Sequence, residues 1–311
     1  MRQIQHISPS GLKTFKTNQD EFYLRYLADT KAPSFPQTKA MSVGSAFDAY
    51  AKAFLHGRLF GHGNDPAYKF ETLFENQVEL HNRDFALVAG AKCWEVYKAS
   101  GALHDLILEL NTAASPPRFE FEVKNTIRWD TGYVVLLGRP DVFFINDQGA
   151  EVVYDWKVNG YMSSASPTKG FVKSRPDMIA HKDAVPMMFK GIRINAAQPL
   201  ETCSEEWAAQ LATYAWLLGV PVGSTDWVAG IDQLACDPKR IRTVSHRSKV
   251  SSEYQKGLFA DYVEVWRRAT SGHFFANLTK EESDFRCSSL DQQAIDLNGT
   301  GDDKWFADIT R

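Results

Sequence analysis

Two aspartates and a lysine stand at the ends of two apolar segments in the middle of the chain. Asp141 precedes the run 142–145, while Asp155 and Lys157 close the run that begins at 151. A turn-forming segment rich in Asn, Asp and Gly separates the runs, so the pattern predicts a β-hairpin. Pairing of its strands would bring Asp141 close to Asp155, and Lys157 would share the face of Asp155 because alternate residues of a strand point the same way.

Two carboxylates and an ammonium group at one sheet edge suit a hard divalent cation and an anionic substrate. The residue types therefore indicate a metal ion and an anionic substrate at this edge.

The segments around these residues closely resemble the PD-(D/E)xK nucleases, and in particular their RecB-type exonuclease branch. The first motif reads Gly-Arg-Pro-Asp at 138–141 and the second reads Asp-Trp-Lys at 155–157. Upstream, Gly-Ser-Ala-Phe-Asp at 44–48 is similar to the G-x-x-x-H motif of that branch, with Asp48 in place of the usual histidine. Downstream, Gln210 and Tyr214 match its Q-x-x-x-Y helix. The four elements stand in family order, and the resemblance covers roughly residues 8–270.

This resemblance implies a role for each motif residue. Asp141, Asp155 and the backbone carbonyl of Trp156 would hold Mg²⁺ (or Mn²⁺), and Lys157 would orient or deprotonate the attacking water or neutralise charge. Asp48 is expected to be a further metal ligand; the alternative is an aspartate on a helix surface. An aspartate there adds a hard oxygen, which favours Mg²⁺ or a second ion.

The resemblance also implies that Gln210 and Tyr214 contact the substrate backbone, since an amide and a phenol both donate hydrogen bonds to phosphate oxygens. The alternative for Tyr214 is simple packing in an amphipathic helix. Glu120 alternates with apolar residues on a predicted strand, which favours a solvent-exposed side chain over a role as metal or water ligand. The side chain of Trp156 is expected to lie in the core.

Basic residues are concentrated after two of the motifs, although the net charge is −3. Lys169, Lys173 and Arg175 belong to a stretch that follows Lys157 directly, and a second stretch occupies 238–250. Both are predicted to contact DNA phosphates, because a local cluster of Lys and Arg decides such binding more than global charge does. The alternative is a solvated loop.

Composition predicts a globular protein with a sizeable core, because 44% of its 311 residues are hydrophobic and 13% are aromatic. No apolar run approaches the ~18 residues of a membrane span, and the first residues lack the apolar segment of a signal peptide. We expect a cytoplasmic protein without a membrane partner (in the host cytoplasm if phage-encoded). The four cysteines are scattered along the chain, which argues against disulfides and against an iron–sulfur cluster. The eight histidines are dispersed as well, which argues against a zinc site.

Periodicity and turn residues predict an α/β protein. The resemblance implies that its core is restriction-endonuclease-like, with a mixed central sheet flanked by helices. Helices are expected at about 10–28 (with a polar break at 17–20), 43–57 (with Ser42 as its cap), 70–110 (with a break at 100–101), 205–218 and 251–271. Strands are expected at about 118–128, 132–145, 150–157, 226–236 and 240–245. The segment 159–201 is expected to be a long loop. A single domain of 1–311 would comprise a helical wall at 8–110, a catalytic core at 118–270 and a peripheral tail at 288–311.

The combined hypothesis is a metal-dependent DNA exonuclease that acts on ends or single strands, in recombination, repair or phage DNA processing. One alternative is a structure-specific endonuclease on the same fold. Another is a DNA-binding protein without catalysis, or a subunit of a recombination complex with a single-strand-annealing or single-strand-binding partner. Trp94 and Trp266, expected on the surface, favour the subunit. The oligomeric state is left open.

Overall fold

The N-terminal part of the chain is helical. A computed structural model describes residues 1–30, 35–61, 65–130, 132–159, 186–195, 199–236 and 241–272, together with residues 274, 277, 279 and 281. Its first helices are α1 (Pro9–Thr17), α2 (Gln19–Phe22), a π-helical turn (Tyr23–Leu27), α3 (Lys39–Phe60), α4 (Phe70–Gln77), α5 (Arg83–Ala99) and α6 (Ala102–Asn111). Single 3₁₀ turns occupy Pro66–Tyr68 and Leu80–Asn82.

Polar side chains set the boundaries of the first helices. The Ser8 hydroxyl accepts a hydrogen bond from the Gly11 N–H and caps α1, as its sequence position predicts. Asn18 adopts extended backbone angles and caps α2 through the Glu21 N–H. The polar break predicted at 17–20 within the helical stretch 10–28 is therefore confirmed, since Asn18 ends one helix and begins the next.

Helix α3, which carries Asp48, starts earlier than predicted. Thr38, not Ser42, is its cap, because the Thr38 hydroxyl accepts a hydrogen bond from the Met41 N–H. Ser42 lies fully buried inside the first turns, where its hydroxyl donates to the Lys39 carbonyl. The helix ends before Gly61, whose φ of 93° disfavours any residue with a β-carbon.

Five strands form the central sheet in the order β1-β4-β5-β8-β9. Their bounds are β1 (Arg118–Phe119), β4 (Val142–Ile145), β5 (Glu151–Asn159), β8 (Val228–Cys236) and β9 (Ile241–Ser248). The pair β5–β8 is parallel and the other pairs are antiparallel, so the sheet is mixed, as predicted. Separate hairpins join β2 (Val123–Trp129) to β3 (Gly132–Gly138) and β6 (Pro186–Phe189) to β7 (Ile192–Asn195).

Two predicted strands are each broken in the structure. Residues 118–128 divide at Glu120, whose φ of +39° is incompatible with an extended strand. Residues 132–145 divide at 139–141, because β3 pairs with β2 whereas β4 pairs with β1 and β5. Pro140 has no N–H for a ladder, which suits a crossing point between two sheets. The segment 159–201 is also not wholly irregular, since it includes β6 and β7.

Helices cover both faces of the sheet. The C-terminal helices are α7 (Leu200–Cys203), α8 (Glu205–Leu217) and α9 (Ser252–Thr270). On β5, Val153 packs with α8 and α9, whereas Val152 and Tyr154 pack with α3 and α5. Successive side chains of β5 therefore enter two different cores, one on each side of the sheet.

Burial corrects several predictions about single residues. Trp94 and Trp266 are only 6% and 8% exposed, so neither is the surface aromatic that was expected. Val88 lies in the apolar pattern of the helix but is 42% exposed, because α5 turns Cys93 and Tyr97 inward instead. Among the helices that the structure describes, none combines the length and the apolar character needed to span a membrane.

Candidate active site

Asp155 and Lys157 lie on the face of β5 that α8 covers. They share the parity of Val153, which packs against α8 and α9. The Asp155 side chain is only 4% exposed and that of Lys157 is 20% exposed. Alternate side chains of β5 point to the same face of the sheet. The Asp155 carboxylate and the Lys157 ammonium therefore lie side by side beneath α8.

Asp141 meets Asp155 across the β4–β5 ladder. Val142 pairs with Tyr154, so Asp141, one residue before Val142, lies opposite Asp155. The Trp156 N–H donates a hydrogen bond of 3.2 Å to Asp141 Oδ2, which fixes the carboxylate over β5. The hairpin geometry predicted from the sequence is therefore confirmed.

Gln210 connects α8 to both charged residues of β5. Its Oε1 accepts a hydrogen bond from Lys157 Nζ at 2.7 Å, and its Nε2 donates to Asp155 Oδ1 at 3.3 Å. The same Nε2 donates to the Tyr214 hydroxyl at 3.0 Å. Lys157 also forms an ion pair with Asp155 Oδ2. The amide orients the ammonium and the carboxylate relative to each other.

Lys52 brings a second group of carboxylates to Asp141 from the other side of the sheet. Its Nζ lies 2.6 Å from Asp48 Oδ2, 3.0 Å from Asp141 Oδ1 and 3.1 Å from Glu120 Oε2. Asp48 and Lys52 are one helical turn apart on α3, and Gln77 Nε2 donates to both Asp48 and Glu120 at 3.0 Å. Asp141 therefore belongs to both halves of the site.

Glu120 is not the solvent-exposed strand residue that alternation predicts. Its side chain is 19% exposed and joins Lys52, while that of Glu122 is 59% exposed. The positive φ of Glu120 redirects its side chain, which is why simple alternation fails there. The sequence analysis did not identify Lys52 or Gln77 as residues of the site. The spacing of four residues between Asp48 and Lys52 on a predicted helix was a signal that they could form an ion pair.

Burial and charge shift the acidities of these carboxyl groups. Burial raises the pKa of Asp155 to about 8, with a contribution from nearby Asp141, while Lys157 opposes the shift. Burial likewise raises the pKa of Asp48 to about 7 against the opposing charge of Lys52. Burial also disfavours ionisation of Asp141, but the Lys52 ammonium and a hydrogen bond from Asp155 outweigh it and lower the Asp141 pKa.

The donor set fits a hard divalent cation. Within the described ranges no three or more His, Cys, Asp and Glu side chains are arranged as a ready metal site. Burial disfavours the charged form of Asp155 despite the adjacent Lys157, and a bound divalent cation would favour that charged form. Two carboxylates, those of Asp141 and Asp155, together with the Trp156 carbonyl offer the oxygen ligands that Mg²⁺ and Mn²⁺ prefer.

Comparison with known families agrees with this arrangement. The sequence profile of the PD-(D/E)XK nuclease superfamily matches residues 6–173, more than half of the chain. The chain belongs to this superfamily. The matched segment contains Asp48, Asp141, Asp155 and Lys157, and it ends before Gln210. The family assignment supports phosphodiester hydrolysis by a metal-dependent nuclease as the activity.

Comparison with individual proteins adds little to the superfamily assignment. A solved structure titled "Crystal structure of SSO0001" is 14% identical over 72% of this chain and 74% of that chain, with a TM-score of 0.25. We base no argument on a similarity of that size. No curated protein matches the chain.

The motif residues Asp48, Asp141, Asp155, Lys157, Gln210 and Tyr214 converge, whereas the structure does not test most of the predicted phosphate contacts. Lys169, Lys173 and Arg175 are outside the described residues. In the second basic stretch, Arg247 does not face solvent. Its side chain is 8% exposed and pairs with Glu109 and Asp232. The prediction of a phosphate contact is therefore wrong for Arg247, which neutralises the buried Asp232 and the half-buried Glu109 instead.

Trp156, between the two catalytic candidates, is anchored in the core as predicted. It is 7% exposed, and its indole N–H donates to the Tyr97 hydroxyl at 3.2 Å. That hydroxyl in turn donates to Asp232 Oδ2 at 2.5 Å. The buried chain of hydrogen bonds fixes β5 on the side opposite Asp155 and Lys157.

Proposed function

We propose that this nuclease is a metal-dependent DNA exonuclease. The observation that carries the proposal is the joining of separate motifs by direct hydrogen bonds. Gln210 contacts both Asp155 and Lys157, and Trp156 contacts Asp141. The Q-x-x-x-Y element typical of the RecB-type branch is thereby part of the same site as the two aspartates.

Asp141, Asp155 and the Trp156 carbonyl are the proposed ligands of Mg²⁺ or Mn²⁺. When bound, such a cation stabilises the negative charge that develops on the phosphodiester. The protein supplies the fixed positions of the two carboxylates, which β4–β5 pairing and the Trp156 N–H hold in place. For Asp48, the predicted further ligand, the contact in the structure is with Lys52.

Lys157 is proposed to act on the attacking water or on the phosphate. Asp155 and Gln210 take two of the three N–H groups of its ammonium among the described residues, which leaves one for a water or a phosphate oxygen. Asp155 and Gln210 already hold the Lys157 side chain in one position. Its ammonium therefore loses little conformational freedom when the substrate reacts.

A cavity of about 640 Å³ borders the site on the side of α8 and is the proposed path of the DNA strand. Gln210 and Tyr214 contribute to its wall and can donate hydrogen bonds to phosphate oxygens. The basic side chains of this wall, Lys13, Lys16 and Arg139, are paired with Glu206, Asp261 and Glu122, so a DNA phosphate would have to compete with these acids. Lys169, Lys173 and Arg175 remain predicted phosphate contacts.

Exonucleolytic cleavage of ends or single strands is proposed from the resemblance to the RecB-type branch. The same resemblance suggests a role in recombination, repair or phage DNA processing, with a single-strand-annealing or single-strand-binding protein as partner. Burial of Trp94 and Trp266 removes the surface aromatics that favoured a purely structural subunit.

A cleavage assay on linear and closed circular DNA tests the proposal. Single- and double-stranded forms of each are incubated with Mg²⁺, with Mn²⁺ or with EDTA, and Asp155→Asn serves as the inactive control. We expect metal-dependent loss of linear DNA only. Cut or nicked circles would establish an endonuclease instead, and binding without any cleavage would contradict an enzymatic role.

A further inference from the structure

Lys52 is a buried cation whose three N–H groups meet three different carboxylates. Its side chain is 2% exposed, and Asp48, Glu120 and Asp141 all lie within 3.1 Å of its Nζ. A lone ammonium is costly to bury, so a lysine is found in such a place when several anions surround it. Three carboxylates around one point are also what a divalent cation would use.

The charges of the whole site indicate how many metal ions it takes. Four carboxyl groups converge, from Asp48, Glu120, Asp141 and Asp155, and two ammonium groups face them, from Lys52 and Lys157. The exposed Arg139 guanidinium, 3.9 Å from Glu120, also pairs with Glu122, so these two opposite charges cancel. When all four carboxyl groups are ionised, as a bound cation favours, the deficit of two positive charges equals the charge of one divalent ion. A second ion would face Lys52 across the carboxylates of Asp48 and Asp141, and like charges at such separations repel strongly in a buried site.

We propose that Lys52 takes the place of a second metal ion beside Asp48 and Asp141, so that the site binds one divalent cation per chain. The inference rests on the proposed metal-dependent function and specifies its stoichiometry. Asp48 then serves to hold Lys52 instead of a metal, and Lys52 contributes a fixed positive charge next to Asp141 whether or not DNA is bound.

An ordinary structural ion pair is the competing explanation for Lys52. Both explanations predict that loss of the lysine destabilises the protein, because three carboxylates would remain without a cation. Only the proposal predicts a change in the number of bound metal ions. The decisive measurement is therefore a count of ions and not a rate.

Mn²⁺ bound to the full-length chain can be counted from the EPR signal of the free ion during a titration. We expect one ion for the unsubstituted protein and none for Asp155→Asn. Asp48→Asn should still bind one ion, because Lys52 keeps two carboxylates and the ion is held elsewhere. Two ions in the unsubstituted protein, or loss of the ion in Asp48→Asn, would overturn the proposal.

Replacement of the lysine gives the complementary test. In Lys52→Met the apolar stem remains and the charge is removed, so we expect two Mn²⁺ ions and a melting temperature that Mn²⁺ raises more than in the unsubstituted protein. The double variant Lys52→Met, Asp48→Asn should return to one ion. A folded Lys52→Met that binds a single ion would refute the proposal.

These outcomes separate the inference from the proposed function. If the unsubstituted protein binds two ions and also cleaves DNA in a metal-dependent manner, only the role proposed for Lys52 is overturned. Absence of Mn²⁺ binding together with absence of cleavage would overturn both. If Lys52→Met does not fold, the counts for the unsubstituted protein and for Asp48→Asn still decide the question.

Discussion

Gly138 lies so close to the ring of Tyr214 that a β-carbon at position 138 would come within 2.6 Å of Tyr214 Cδ1. The same β-carbon would be 2.7 Å from Leu217 Cδ1. The end of β3 therefore packs directly on α8, the helix that positions Gln210. The glycine next to the first catalytic motif permits the close approach of strand and helix.

Gly138→Ala is predicted to displace α8 from the site. Because neither contacted atom can move far in a packed core, we expect a loss of about 1–3 kcal/mol in the free energy of unfolding, together with reduced cleavage. Chemical denaturation and the linear-DNA assay measure the two effects. Gly257→Ala is the control, since its β-carbon would meet nothing within 4 Å and a helical alanine is favoured. An equal effect of both substitutions would argue against the contact.

Asp155→Asn is predicted to abolish cleavage while the fold and most DNA binding are retained. Burial disfavours the charged form of Asp155 and raises its pKa, so a neutral amide of the same shape avoids this cost when no metal is bound. Stability at pH 7 should change little, whereas cleavage should be lost because the cation loses a carboxylate ligand. Thermal melting, a DNA-binding titration and the cleavage assay test this. Loss of DNA binding in step with cleavage would contradict the assigned role.

Gln210→Ala is predicted to lower cleavage about 10–100-fold, as removal of a group that orients catalytic residues commonly does. The substitution frees Lys157 Nζ from its 2.7 Å hydrogen bond. Tyr214→Phe should have a smaller effect, because it keeps the ring against Gly138 and removes only the hydroxyl that accepts from Gln210. Single-turnover rates with linear DNA compare the two variants. A larger loss in Tyr214→Phe would reverse their assigned importance.

His246 is predicted to make stability depend on pH. Burial between β8 and α8 lowers its pKa from 6.5 to about 4, so the unfolded chain binds a proton more readily than the folded one. The contribution of His246 to the free energy of unfolding is complete above pH 6.5 and decreases as the pH falls towards 4. Below pH 4 it changes no further, and the total loss is about 3 kcal/mol. Urea denaturation between pH 7.5 and 4 should show a shallower pH dependence in His246→Gln. Identical slopes would exclude this contribution.

Lys173→Ala and Arg175→Ala are each predicted to weaken DNA binding through a lost phosphate contact. The loss should be larger at low salt, and the slope of log K against log salt should decrease by about one. Lys92→Ala is a control, because this lysine is exposed on α5. Salt slopes that match the unsubstituted protein would remove these residues from the DNA interface.

Local sequence determined the parts of the site that depend on neighbours in the chain. The alternation in 142–145 and 151–157 and the turn between them suffice to specify a hairpin, and the hairpin places Asp141 opposite Asp155. The spacing of four between Gln210 and Tyr214 suffices to place both on one side of α8. These features rest on periods of two and 3.6 residues, which a sequence displays directly.

Only the tertiary structure shows which residues far apart in the chain contact one another. Lys52 reaches Glu120 and Asp141 across 68 and 89 residues of chain, and only the packing of α3 over the sheet creates that contact. The positive φ of Glu120 breaks a strand that alternation predicts. Whether Trp94 or Arg247 is buried likewise depends on which elements cover it. Long-range packing thus selects the partners of the charged groups, and those partners determine the electrostatics of the site.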